Sequence, residues 1–231
     1  MGGSDSEAGY ASDAATEDGA FPEAGGEVVD FGWEDGREVS GRRKKAAAAA
    51  KRRARPGTFE AMGLSEPVLR AVRRKGFRLP TPIQRRAMPA ILRGADVVGM
   101  ARTGSGKTAA FAIPLVERLA RRVPGAAGAR AAVLSPTREL AMQTHKVIQE
   151  LARHTDLRAA ALVGGDSLEA QWAELAAGPD VLVATPGRLA HHLAEVEGFS
   201  LRSVEYLVFD EADRLFEMGF AEQLRQVRRG V

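Results

Sequence analysis

The chain has no cysteine, so neither a disulfide framework nor a thiolate metal site is open to it. Histidine is scarce. His145, His154, His191 and His192 are the whole set, and only the last two are close. That pair reads as part of a solvated helix face rather than a metal site. No apolar run approaches the ~20 residues a membrane-spanning helix needs. The amino terminus is polar and acidic, unlike the basic and then apolar start of a signal peptide. Two stretches nearly lack charge of one sign. Residues 1–40 hold 11 acidic groups and one basic, Arg37, while residues 41–55 hold eight basic groups and no acidic one. Residues 56–231 carry 24 basic and 19 acidic groups. This segregation matters more than the net charge of +3, and it points to a polyanionic partner rather than a membrane.

What is present divides in two. With 45% hydrophobic residues in 231, the chain has material for one ordinary domain and extra segments. Residues 1–55 read as a disordered tail, acidic over 1–40 and basic over 41–55, with no sustained apolar period. Phe31 and Trp33 interrupt the acidic part. Arg42-Arg43-Lys44-Lys45, five alanines and Lys51-Arg52-Arg53-Ala54-Arg55 read equally as a nuclear-localisation signal, a nucleic-acid-binding arm or a solvated charge run.

The domain, 56–231, is organised around Ala101-Arg102-Thr103-Gly104-Ser105-Gly106-Lys107-Thr108. An apolar run precedes it (97–100) and another follows (109–113), the strand–loop–helix context of a phosphate-binding loop. Small residues let backbone N–H groups curl round an anion at the positive end of the helix dipole. Lys107 reaches terminal phosphates, and the Thr108 hydroxyl suits Mg²⁺. Ala101 stands where the usual phosphate-loop pattern has glycine.

Short apolar runs predict strands at 97–100, 131–135, 159–163, 181–184 and 205–209. Helices are expected at 106–120, 138–153, 168–177, 187–196 and 221–229, with two more opening at Ser65 and Thr81. Thr81, Pro82 and Gln84 make a capping box, which alone suffices to explain Gln84. Alternating strands and helices imply an open parallel sheet whose ligands sit at the carboxyl ends of strands. Asp210-Glu211-Ala212-Asp213 ends one such strand. One carboxylate there suits Mg²⁺ and a second suits polarising water, which with the phosphate loop makes a hydrolytic nucleotide site. Pro136-Thr137-Arg138-Glu139-Leu140 and Thr185-Pro186-Gly187-Arg188 follow two other strands, and Gly164-Gly165 a third. Each alone reads as a helix cap or turn; together they form a track for a sugar-phosphate backbone.

These residues, in this order, resemble the first RecA-like domain of a DEAD-box RNA helicase. The resemblance runs from about Phe59 to Val231, through Gly76-Phe77, Pro80 to Gln84, Ala101 to Thr108, Pro136 to Leu140, Gly164-Gly165, Thr185 to Arg188 and Asp210 to Asp213. It implies a RecA-like α/β domain, an open parallel sheet with helices on both faces, carrying a Gln-containing adenine motif over 59–84. It implies ATP and Mg²⁺ as cofactors. Gln84 would hydrogen-bond adenine, Phe59 pack on the base, Lys107 bind phosphates, Thr108 and Asp210 serve Mg²⁺ (partly through water) and Glu211 act as general base. Asp213 would link nucleotide state to interdomain closure. Pro136, Thr137, Arg138, Gly164, Gly165 and Thr185 to Arg188 would touch RNA.

Met62-Gly63-Leu64, Thr103 to Thr108 and Arg214 to Leu224 resemble the nucleolar subgroup acting in large ribosomal subunit assembly. That implies pre-rRNA, assembly-particle proteins, a monomer, and the nucleus and nucleolus. The family pattern continues past Val231 with a Ser-Ala-Thr strand and a second domain. The domain is therefore expected to be incomplete at its carboxyl end, with a hole between the 97–100 and 205–209 strands, and the chain alone not to unwind RNA. Two other classes stand beside this reading. One is a non-catalytic RNA-binding or scaffold fragment. The other is a phosphate-loop kinase or metabolic NTPase, for which no acceptor-binding insert is visible.

Overall fold

The computed structural model describes residues 57–120 and 128–231. The expectations for the tail, including its basic segment, lie outside the described residues.

Four parallel strands carry the domain: β1 (Ala131–Leu134), β2 (Ala159–Leu162), β3 (Val181–Ala184) and β4 (Tyr206–Phe209). Their order is β2-β3-β1-β4, so the chain crosses over between every consecutive pair. In register, Val133 lies between Val183 and Val208, and Leu134 between Ala184 and Phe209. Strand alternation sends successive side chains to opposite faces, and both faces of this sheet are covered. Ala131, Val133, Val181 and Val183 join the core built with α1 (Glu66–Arg74), α3 (Lys107–Leu119) and α4 (Arg138–Ala152). Ala132, Leu134, Leu182 and Ala184 join the core built with α6 (Pro186–Glu195), α7 (Ala212–Glu217) and α8 (Ala221–Gly230). Double-sided burial is the reason the strands read as continuous apolar runs rather than as alternating ones.

Helix starts follow local chemistry. The Thr137 hydroxyl accepts from the Leu140 amide at 3.3 Å, and Ser167 from Ala170 at 3.1 Å at the head of α5 (Leu168–Ala176). Each satisfies a first-turn donor that has no carbonyl partner inside its helix. Proline begins α2 (Pro82–Leu92) and α6, where its missing N–H removes nothing. Asp210 to Asp213 contributes a helix start too, since α7 opens at Ala212.

One expected strand does not form. Val97 makes a single isolated bridge and residues 98–100 belong to no element. A strand exists through its neighbours' hydrogen bonds, and this segment lies outside the four-stranded ladder. Val98 and Met100 are 60% and 72% exposed. Strand β4 has one ladder neighbour, β1, and its Phe209 is also exposed. The segment is held from the other side, where Gly99 lies close enough for an added Cβ to stand 3.6 Å from Ile83 of α2.

Candidate nucleotide site and adjoining loop track

Parallel strands gather their carboxyl ends on one edge. Loops 135–138, 163–167 and 185–186 and the Asp210 turn lie there, each directly after its strand.

The phosphate loop closes on itself through two side chains. The Lys107 ammonium donates to the Ala101 carbonyl across the loop. The Gln84 amide nitrogen donates to the Gly106 carbonyl at 3.1 Å, and its oxygen accepts from the Thr81 amide at 3.0 Å. Gln84 is 3% exposed, so both bonds are made away from water. The loop needs glycine at two positions. Gly104 and Gly106 have φ of +80° and +92°, and a Cβ on Gly106 would meet the Gln84 nitrogen at 2.5 Å. Thr108 is half-buried on the first turn of α3. Arg102, Thr103 and Gly104 are exposed, while Ala101 and Ser105 are half-buried. Phe59 lies in the core, 2% exposed, with Leu64, Val68 and Met88 in the same cluster. A cleft of about 390 Å³ lies beside it, between Gly57–Met62 and the Arg85, Pro89, Leu92 and Arg93 face of α2. No residue of 101–108 lines that cleft.

Asp210 directly follows β4, its amide donating to the Leu134 carbonyl at 2.8 Å. The carboxylate is buried and accepts from the Thr144 hydroxyl at 3.3 Å. Burial pushes its proton affinity up; the Thr144 bond pulls it down, the Glu211 charge raises it and the Lys107 charge lowers it. Glu211 is the one non-glycine residue with positive φ among the described residues, at +50°. That left-handed conformation carries strain, which the turn into α7 imposes. Its carboxylate pairs with Arg214 at 3.2 Å. Asp213 is exposed and accepts from the Arg214 amide at 3.0 Å.

The other loops converge on residues 163–166. Arg138 donates to the Gly164 carbonyl and pairs with Asp166 at 2.7 Å. That guanidinium holds the Asp166 carboxyl below the usual range. Arg188 donates to the carbonyls of Val163 at 3.1 Å and Asp166 at 2.9 Å. Gln171 of α5 donates to the Val163 carbonyl at 2.7 Å and accepts from His192 at 2.8 Å. The three motifs are thus one bonded unit, with Gly164, Gly165 and Gly187 exposed on it and Thr137 and Thr185 half-buried at its helix starts. Pro136 and Pro186 are buried. The sequence reading missed Asp166, Gln171 and Thr144. It misplaced His192, which is fully buried in this network; His191 alone faces solvent. The signal was a polar residue inside an apolar helical stripe. Gln171 lies between Leu168 and Leu175, and Thr144 between Ala141 and Ile148.

A phosphate loop heading α3, faced by a buried carboxylate on a parallel sheet, defines a P-loop nucleotide-binding domain. Residues 81–231 match the family model "DEAD/DEAH box helicase", and the chain belongs to that family. It is 58% identical over 185 residues to DEAD-box ATP-dependent RNA helicase 29 of Oryza sativa subsp. indica, covering 80% of this chain and 22% of the relative. It is 55% identical over 185 residues to ATP-dependent RNA helicase DDX54 of Mus musculus, covering 80% and 21%. The chain thus spans about a fifth of the length of such relatives. Among solved structures, the RNA helicase Prp28 from Chaetomium thermophilum bound to ADP superposes with a TM-score of 0.69 at 39% identity, over 74% of this chain and 42% of that one.

Proposed function

We propose that residues 57–231 form the ATP-binding part of an ATP-dependent RNA helicase, holding ATP–Mg²⁺ at the phosphate loop and single-stranded RNA on the 136–140, 164–165 and 185–188 loops. The observation that carries this is the buried Gln84 amide bonded to Gly106. Each of its two polar atoms keeps one further hydrogen-bonding valence, which matches the donor and acceptor on an adenine edge. Phe59 supports this wall from the core, and direct stacking on a base requires its ring to be uncovered. Lys107 and the loop amides bind phosphates. The residues fit magnesium, because a hydroxyl (Thr108) and a carboxylate (Asp210) are hard oxygen donors. When bound, the cation neutralises charge developing on the transferred phosphoryl group. Glu211 accepts the proton of attacking water, and Asp213 carries nucleotide state to a second domain.

On the RNA side, Arg138 and Arg188 act as braces. Phosphates are then met by exposed glycine backbone and by the starts of α4 and α6. Such contacts hold a strand without reading its bases. The subgroup resemblance of 62–64, 103–108 and 214–224 extends the reading to pre-rRNA in nucleolar large-subunit assembly, among assembly-particle proteins and as a monomer. The identity to relatives named as ATP-dependent RNA helicases supports the coarser part.

The test is binding of a labelled single-stranded RNA to the full chain with and without ATP–Mg²⁺. Tighter binding with nucleotide, lost in Lys107→Ala, supports the reading. RNA binding that ignores both nucleotide and Lys107→Ala favours the scaffold reading.

A further inference from the structure

The nucleotide motifs do not explain how Asp210 is seated. Tyr206 and Val208 pack on the α3/α4 side of the sheet, and strand alternation puts Asp210 on that same side. There its Oδ2 accepts from the Thr144 hydroxyl at 3.3 Å. Thr144 is 1% exposed and Asp210 6%. Thr144 belongs to the buried stripe of α4 with Ala141, Ile148 and Leu151. Packing alone has no use for a hydroxyl in such a stripe, since burying one without a partner costs free energy. A second observation marks the seat as polar. Register pairs Leu134 with Phe209, so the next step along the strands sets Ser135 beside Asp210. The Ser135 hydroxyl is fully buried and bonded to nothing among the described residues. Two buried hydroxyls therefore flank one buried carboxylate.

We propose that Thr144 is a positioning residue for Asp210: its hydroxyl commits Oδ2 to α4 and leaves Oδ1 for the cation of a bound magnesium–nucleotide complex. This rests on the ATP–magnesium reading above. The carboxylate is then mounted at two points, through its backbone to β1 and through its side chain to α4. A ligand held this way keeps one orientation, so less freedom is lost when the cation binds. Helix α4 also opens with Arg138, so the carboxylate is fixed relative to the loop track and not to the phosphate loop alone. Serine keeps the hydroxyl at this position. Valine keeps the branched shape and removes it.

The experiment uses the full chain and a fluorescent ADP analogue, titrated with magnesium chloride and, separately, in excess chelator. Wild type, Thr144→Val and Thr144→Ser are compared. In chelator all three bind the analogue within about twofold of one another. The magnesium concentration at half-effect rises about tenfold in Thr144→Val and stays within about twofold of wild type in Thr144→Ser. An unchanged magnesium dependence in Thr144→Val overturns the inference. So does an equal loss with and without magnesium, which would make Thr144 a packing residue. A wild-type chain whose nucleotide binding ignores magnesium overturns the ATP–magnesium reading itself, and the inference with it.

Discussion

The side-chain amide of Gln84 ties the amino end of α2 to the phosphate loop, accepting from Thr81 at 3.0 Å and donating to Gly106 at 3.1 Å. One residue thus caps a helix and sets the loop conformation, so the two readings of Gln84 are compatible in one geometry. Removing a buried hydrogen-bonding group costs roughly 1–1.5 kcal/mol. Gln84→Ala is expected to weaken ADP binding about tenfold. Gly106→Ala goes further, since a Cβ would both meet that amide at 2.5 Å and sit at φ +92°. Its nucleotide binding is expected to be lost, and near-wild-type affinity by fluorescence titration would show that the loop is not held as described.

The Arg138 brace makes a different prediction. Its pair with Asp166 is about two-fifths exposed and screened by water, so it adds little to stability. Arg138→Ala should leave the melting temperature almost unchanged. It should weaken single-stranded RNA binding about tenfold, because the Gly164 carbonyl loses its donor. Nucleotide affinity should not move. A parallel loss of ADP binding would mean that Arg138 supports the whole edge and not the track.

His192 predicts a pH dependence. Burial, then the charges of Arg188 and His191, hold its proton affinity below the ordinary histidine value of 6.5. The folded state keeps the ring neutral, whereas the unfolded chain takes up a proton near that value. Below it the unfolded state binds more protons, so stability falls with pH; above it this contribution is constant. Melting temperature should therefore drop between about pH 7 and pH 5.5. His192→Gln should flatten that drop. Glu60, Glu150 and Asp166 have lowered values and titrate further into acid, while Asp210, raised by burial, holds its proton more tightly in the folded state and so acts with the opposite sign. An identical slope in the variant would place the pH sensitivity elsewhere.

At the opposite edge of the sheet, Arg130 and Asp180 form a buried pair at 3.3 Å, and Asp180 also accepts from the Arg158 amide at 3.0 Å. Removing Asp180 leaves the buried Arg130 with only the half-exposed Glu205 at 3.6 Å and the Leu119 carbonyl, at a cost of up to about 3–5 kcal/mol. Asp180→Ala should lower chemical-denaturation stability by that order, while ADP affinity of the folded fraction persists. A loss under about 1 kcal/mol would indicate that water reaches the pair.

How far the sequence was legible depended on where each interaction lies. Features decided locally were readable: the glycine-rich loop, the Thr137 cap, the prolines opening α2 and α6, and four apolar strands. Segment 97–100 has the same apolar composition, yet pairing is a property of neighbours, and composition does not carry it. His192 looked solvated beside His191, because adjacent helix positions point about 100° apart and one ring can be buried while the other is not. Thr144 and Gln171 were hidden for a related reason. Thr144 bonds Asp210 and Gln171 bonds His192, partners that are distant in sequence, and only a polar residue in an apolar stripe hinted at them.

The most direct measurement is a calorimetric titration of ADP with magnesium into the full chain, beside Lys107→Ala, with each protein's melting followed by circular dichroism. The account predicts cooperative melting for both, magnesium-dependent ADP binding for the wild type, and its loss in Lys107→Ala. A cooperatively folded wild type that binds no ADP, or a Lys107→Ala chain that binds it equally well, would contradict it.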